Sequence, residues 1–262
     1  MTEVRTIFVS DVHLGIRACQ AGRLLEFLRA YSARELFLIG DIIDFEALAR
    51  NIYWTREHNT VVQKILRRAR HGERVTLIPG NHDHTLREYA GATFGDIRVA
   101  REWIHVGADG KRYLLTHGDA FDPVSQCSRF IAALGDITYT WLLRLNRQLA
   151  WWRRRFGANG YWSLSNYVKQ RIKRAADYIR DYELAVARAA RARDVDGVIC
   201  GHIHVAAIKD MQGLTYVNCG DWVDSCTAVV EHHDGRLELV RWGLTAHGSE
   251  RLESTREAAI VE

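Results

Sequence analysis

Proline is nearly missing from this 262-residue chain, with two in all, and that scarcity argues against long proline-rich linkers or extended disorder in its body. Long apolar runs are missing too. The longest weakly charged window, residues 130–143 (FIAALGDITYTWLL), is broken by Asp136 and falls short of the ~20 residues needed to cross a bilayer, so no transmembrane helix is expected. The opening residues, MTEVRTIFVSD, have no basic segment ahead of a long apolar one, so no secretory signal is expected. The five cysteines (Cys19, Cys127, Cys200, Cys219 and Cys226) are odd in number, far apart and never arranged as C-x-x-C. They read as reduced, mostly buried thiols of a cytoplasmic protein.

What is present is ordinary in bulk, 47% hydrophobic and 26% charged, and the length suits one large α/β domain or two small ones. The net charge of +4 conceals a segregation: residues 144–180 carry +9, which leaves −5 for the remainder. Such a basic block on an acidic body bears on partners rather than on fold.

Apolar runs recur at residues 6–10, 35–40, 74–79, 112–117, 197–201, 215–220, 226–232 and 236–242. They are short, lack a helical period and read as strands buried on both faces. Between the early ones lie two helical patterns, one with Leu24, Leu25, Phe27 and Leu28 on one side, the other with Val61, Val62, Ile65 and Leu66 and a stop at Gly72. HHDGRL is a candidate hairpin turn between the last two strands. The expected fold is an α/β layered αββα sandwich of mixed sheets with a helical insertion. Residues 1–120 and 194–244 would form the core, 121–193 the cap or lid, and 245–262 a disordered tail.

In an α/β sheet, chemistry gathers beyond the carboxyl ends of strands. Here those ends bear Asp11 and His13, Asp41, then Asn81-His82-Asp83, then His117, and finally His202 and His204. One polar residue after a strand is commonplace; five strand ends of the same design are not. Oxygen and imidazole donors without thiolates suit Mn, Fe, Co or Zn. Seven such ligands would exceed the needs of one ion and suit two ions ~3.5–4 Å apart sharing a carboxylate. A binding scaffold without catalysis would show eroded ligands, and all seven are intact.

The motifs D-x-H, G-D, G-N-H-D, H-G-D and G-H-x-H occur in that order between residues 11 and 204, and they resemble the calcineurin-like metallophosphoesterase superfamily. The resemblance implies Asp11, His13 and His204 on one metal, Asn81, His117 and His202 on the other, and Asp41 bridging with a water or hydroxide as nucleophile. It also implies His82 as general acid or stabiliser of the leaving oxygen, with Asp83 orienting its ring; His84 is expected at the surface. SDVHLG, IGDIIDF and the basic helical insertion further resemble the UDP-2,3-diacylglucosamine hydrolases of lipid A biosynthesis. That branch implies Mn2+, with Zn2+ or Fe2+ as alternatives, and cleavage of an acylated UDP-sugar to UMP and the sugar 1-phosphate. The best-known members carry Arg where this chain has His82, so a sister branch sharing the lid is the closer description. Arg is a fixed cation and His a titratable one. Another phosphodiesterase or phosphatase reaction on the same centre therefore stays open.

The insertion interleaves cations with Trp141, Trp151, Trp152 and Trp162. This suits a membrane interface, nucleic-acid phosphates and bases, or simply a solvated basic helical face. The reading adopted is lipid: peripheral attachment to the cytoplasmic face of the inner membrane, with neither nucleic acid nor a protein partner expected. Ser163, Asn166, Lys169 and Lys173 fall on roughly one helical face and, with Asp122, are expected to grip sugar and diphosphate, beside Asn81, His82 and His202 at the centre.

Overall fold

A computed structural model describes residues 1–122, 164–243 and 250–251, with backbone alone at 164–175 and 250–251. The chain divides into two compact units, residues 1–119 with 186–262, and residues 120–185. The second unit ends at Ala185, short of the 193 expected from composition.

The first unit holds two mixed sheets. One contains β1 (Thr2–Val9), β2 (Tyr31–Ile39), β3 (Arg74–Ile78), β4 (Thr93–Phe94), β5 (Ile97–Val99), β11 (Thr227–Glu231), β12 (Leu237–Arg241) and β13 (Glu250–Arg251), in the order β13-β12-β11-β1-β2-β3-β5-β4. The other contains β6 (Trp103–Val106), β7 (Arg112–Leu115), β8 (Gly197–Cys200), β9 (Ala207–Met211) and β10 (Leu214–Asn218), in the order β6-β7-β8-β10-β9. Strands β1, β2, β3 and β5 run parallel, as do β7, β8 and β10, with antiparallel strands at the edges. The crossovers after β1 and β2 contain α1 (Ala21–Ala30), α2 (Phe45–Arg50) and α3 (Arg56–Arg70).

Alternation along the central strands explains why both faces are apolar. Phe8, Phe37 and Ile39 point one way and pack with Tyr113, Leu115, Ile199 and Val217 of the second sheet. Ile7, Val9, Leu36 and Leu38 point the other way, against Leu24, Phe27 and Leu28 of α1 and Val61 and Ile65 of α3. Each such fully buried side chain contributes about 1.5–3 kcal/mol relative to exposure. Leu66, grouped with that helical face by its spacing, is instead 40% exposed. Among the described residues a further helix, α4 (Leu164–Arg191), buries Val186, Ala187 and Ala190 at its end, where Arg191 donates to the Met211 carbonyl of β9 at 2.5 Å. The layered α/β sandwich is the expected one, and all eight apolar runs form strands.

A polar fastening joins the sheets through the core. Glu231 of β11, 1% exposed, accepts from His105 Nε2 of β6 at 2.8 Å and from Thr6 Oγ1 of β1 at 2.7 Å. Arg5 Nη1 (2.5 Å) and the Ala108 amide (2.7 Å) complete its shell. Burial alone would raise the Glu231 carboxyl, but these donors outweigh it and hold the group down at about 2.

HHDGRL does turn the chain between β11 and β12, with the His232 amide donating to the Arg236 carbonyl at 2.9 Å. Of the 245–262 tail, Glu250 and Arg251 pair with β12 and the rest lies outside the described residues. The four described cysteines are free thiols, and Cys127 lies outside the described residues. No helix among the described residues is long and apolar enough to cross a membrane.

Candidate metal centre

Asp11 and His13 follow β1, Asp41 follows β2, Asn81 follows β3, His117 follows β7, and His202 and His204 follow β8. Five of these seven have left-handed backbones: Asp11 (φ 51°), His13 (52°), Asp41 (53°), His202 (73°) and His204 (56°). That conformation costs a non-glycine residue about 1–2 kcal/mol, and its concentration here is the mark of a functional turn rather than a passive one. The backbone is pinned across the two strand ends: Asp11 N donates to Gly40 O (3.1 Å) and His13 N to Asp41 O (2.8 Å).

The motif glycines are required by close approach. A Cβ on Gly40 would lie 2.1 Å from His117 Nδ1, one on Gly80 2.2 Å from Asp41 Oδ1, and one on Gly201 1.8 Å from Ser10 Oγ. Each glycine therefore makes room for a side chain of another strand end.

Among the described residues the side chains form three overlapping groups. Donor atoms of Asp11, His13 and His204 all lie within 4.8 Å of one another, and so do those of Asp11, Asp41 and His117 and those of His13, Asp41 and His82. His204 Nε2 is 3.1 Å from Asp11 Oδ1, and Asp41 Oδ2 is 3.3 Å from His117 Nε2 and 3.9 Å from His13 Nε2. On the far side, His117 Nε2 and His202 Nδ1 both lie 3.1 Å from Asn81 Oδ1. The structure brings all seven expected ligands together.

Two observations fit this donor set to cations. His13 Nε2 is buried, 3.9 Å from Asp11 Oδ1, and makes no hydrogen bond, a costly state for a buried polar atom. Second, His117 Nδ1 faces the Ile39 carbonyl at 3.2 Å and must donate to it, so the Nε2 of a neutral ring presents a lone pair. That lone pair would meet two further acceptors, Asn81 Oδ1 and Asp41 Oδ2, and either a proton on the ring or a bound cation reconciles the three. The pKa directions agree. Burial opposes charge throughout, yet His204 and His117 hold the Asp11 carboxyl low, and Asp41 and Asp11 push His117 up to about 10.

His82 stands beside this cluster, its ring 4.9 Å from that of His13 and its amide donating to Asp41 Oδ1 at 2.8 Å. The expected support by Asp83 is corrected. Asp83 is fully buried, and its carboxylate accepts the amides of Gly80 (2.6 Å), Ile42 (2.9 Å) and Asp41 (3.3 Å), which fixes the turn rather than the ring. The ring is faced by Asp44, whose Oδ1 lies 3.2 Å from His82 Nδ1 and whose Oδ2 lies 3.1 Å from His13 Nδ1. Asp44 first, then Asp41, pushes His82 up to about 9 against the effect of burial. His84 is half-buried rather than at the surface, its Nδ1 2.9 Å from the Asn81 carbonyl.

Supporting residues outside the strand-end pattern complete the frame. Arg87 donates to Asp119 Oδ1 (2.7 Å) and to the Pro79 carbonyl (3.2 Å), and Asn218 Nδ2 donates to the Gly201 carbonyl at 2.7 Å. Asn218 lies within the apolar run at 215–220 and is the last residue of β10; Arg87 lies in a short 3-10 helix, His84–Tyr89, that follows the metal-centre turn and carries no strand-end signal. Among the expected substrate contacts, Asp122 accepts from Tyr178 OH at 2.8 Å within the second unit. Asn166, Lys169 and Lys173 lie on the backbone of α4, and Ser163 and the four insertion tryptophans fall outside the described residues.

The model for the calcineurin-like phosphoesterase family matches residues 4–206. A UDP-2,3-diacylglucosamine hydrolase of Neisseria gonorrhoeae is 27% identical over 242 residues, which covers 85% of this chain and 92% of that protein. One from Neisseria meningitidis serogroup B is 27% identical over 235 residues with the same coverage. Solved structures with a similar course include Vps29 of Entamoeba histolytica complexed with zinc (13% identity, TM-score 0.45, 94% of this chain and 97% of that one). Another is the Escherichia coli phosphoesterase YfcE (15% identity, TM-score 0.41, 88% and 95%).

Proposed function

This chain belongs to the calcineurin-like phosphoesterase family and is a metal-dependent hydrolase, and on that premise we propose that it hydrolyses the pyrophosphate bond of UDP-2,3-diacylglucosamine to UMP and 2,3-diacylglucosamine 1-phosphate, a step of lipid A biosynthesis. The observation that carries the chemistry is the convergence of seven donors from five strand ends, with the buried His13 Nε2 left without a hydrogen bond among them. The substrate rests on 27% identity spread over 85% of the chain, to relatives whose whole length is nearly covered.

In this reading Asp11, His13 and His204 hold one divalent cation, Asn81, His117 and His202 the other, and Asp41 serves both. Mn2+ is the proposed ion, Zn2+ and Fe2+ the alternatives. When bound, the pair supplies Lewis acidity and activates water for attack on phosphorus. The protein's own contribution is positional. Asp44 fixes the tautomer of His13 by accepting its Nδ1 proton, which directs Nε2 to the centre. The same carboxylate holds His82, whose imidazolium donates to the leaving phosphate oxygen. Asp122, Ser163, Asn166, Lys169 and Lys173 would contact the sugar and diphosphate, and the enzyme would act at the cytoplasmic face of the inner membrane as a peripheral protein.

A second reading is favoured by one residue. His82 stands where the best-known hydrolases of this branch carry Arg, and a titratable proton donor suits a phosphodiester or phosphomonoester with a poor leaving group as well as a diphosphate. Incubation with UDP-2,3-diacylglucosamine and Mn2+, followed by product analysis, separates the two. UMP and the acylated sugar phosphate are expected; an untouched UDP-lipid beside turnover of bis(p-nitrophenyl) phosphate would favour the second reading.

A further inference from the structure

At the amino ends of β2 and β3, the opposite end of those strands from Asp41 and Asn81, α1 and α3 finish beside a cleft of about 810 Å³. Arg34, Lys64, Arg67, Arg68, His71 and Arg74 line it, and Glu73 is the one acid among the lining residues described. That acid is already committed: Arg68 donates to it through both Nε and Nη2, and to the Leu28 carbonyl at 3.1 Å through Nη1. Arg74 is paired with Glu35 at 2.8 Å. Among the described residues, the side chains of Arg34, Lys64 and Arg67 have neither a hydrogen bond nor an ion pair.

Helix dipoles account for part of this. Cations in the last turns of α1 and α3, Arg29 and Arg67 among them, meet exposed carbonyls there. Arg34 and Arg74 come from strands, and the dipole gives no reason for them. Lys64 is held below its ordinary value by burial first and then by Arg68, Arg29 and Arg67, against the opposing effect of Glu73. The floor is apolar, with Leu28 and Tyr31 2% and 5% exposed. The volume lies in the range of small-molecule sites.

We propose that this cleft is a second, metal-independent site that binds a soluble anion bearing clustered phosphates, with Arg34 on one wall and Lys64 and Arg67 on the other as the recognising cations. Three cations on two walls select a ligand with more than one negative charge. The site is separate from the hydrolytic centre and does not depend on which phosphoester that centre cleaves.

Tripolyphosphate titrated calorimetrically into the metal-stripped protein in EDTA tests this, because chelation removes the metal centre as a competing phosphate site. One equivalent should bind, with an affinity that falls as salt rises. In Lys64→Glu/Arg67→Glu the affinity should drop about tenfold or more, because two of the three recognising cations are reversed. Metal-dependent turnover and the circular dichroism spectrum should stay as in the parent. Should the reversed charges disturb the fold, Lys64→Gln/Arg67→Gln is the deciding variant, with the same weakening expected. No heat with the parent protein, or equal binding by the variants, would overturn the proposal. So would retention on phosphatidylglycerol vesicles that the variants lose while tripolyphosphate fails to bind, since that result would assign the cations to a lipid surface.

Discussion

Asp44 serves two imidazoles with one carboxylate, Oδ2 to His13 and Oδ1 to His82, and Oδ1 also accepts the Ala47 amide at 2.7 Å as the N-cap of α2. Replacement by Asn keeps the shape and removes the charge. Asp44→Asn is expected to weaken Mn2+ or Zn2+ binding about 10–100-fold, measured by calorimetry, because the ring that presents His13 Nε2 loses its anchor. His82→Ala should separate from it: kcat falls about 10²–10⁴-fold while metal affinity holds. Unimpaired turnover of His82→Ala would remove that residue from the mechanism. Asp44 was on view in IGDIIDF, but it ends no strand, so a search of strand ends passes it by. Asp83 was found by adjacency to His82, and adjacency misleads in a tight turn, where consecutive side chains diverge. Its carboxylate went to backbone amides instead.

The elements divide into those with a sequence rhythm and those without. Central strands are apolar on both faces and stand out as unbroken runs. The short strands carry no apolar run to find: both residues of β4 are exposed, β9 has no fully buried residue, and β5 and β6 bury one each. The seven donors were legible because parallel strands deliver their ends to one edge; Gly40, Gly80 and Gly201 were legible as motif letters, and their reason, a side chain from another strand end that leaves no room for an added carbon, required the fold. Helix α4 belongs to this scale as well. Lys169→Ala with Lys173→Ala should raise KM for an anionic substrate about tenfold, the loss of two charge-assisted contacts, and leave metal binding as it was. Unchanged KM in steady-state assays would detach those lysines from substrate recognition.

Across the whole molecule, the buried Glu231 cluster predicts an acid limb of stability. Its carboxyl sits at about 2 against an ordinary 4.5, so the unfolded chain takes up the extra proton in that interval. The stabilisation is complete above pH 4.5 and is lost progressively as pH falls toward 2. In urea titrations, Glu231→Gln should be clearly less stable than the parent at pH 6, and the gap should narrow toward pH 3. A constant gap would mean that ionisation of Glu231 contributes nothing. This cluster was not legible beforehand, since Arg5, His105 and Glu231 are distant in sequence and only the stacking of two sheets unites them.

The donors also come from both layers: Asp11, His13, Asp41 and Asn81 from the larger sheet, His117, His202 and His204 from the smaller. A chelator should then do more than stop turnover. With bound metal removed, the carboxylates of the larger sheet and the imidazoles of the smaller lose a shared tie, and the layers lose one of two polar rivets. Deuterium uptake after EDTA should quicken at the amides of residues 10–14, 40–42 and 201–204, while those around Glu231 keep their pace. Uniform uptake in both places would mean that the ions merely occupy a seam already closed without them.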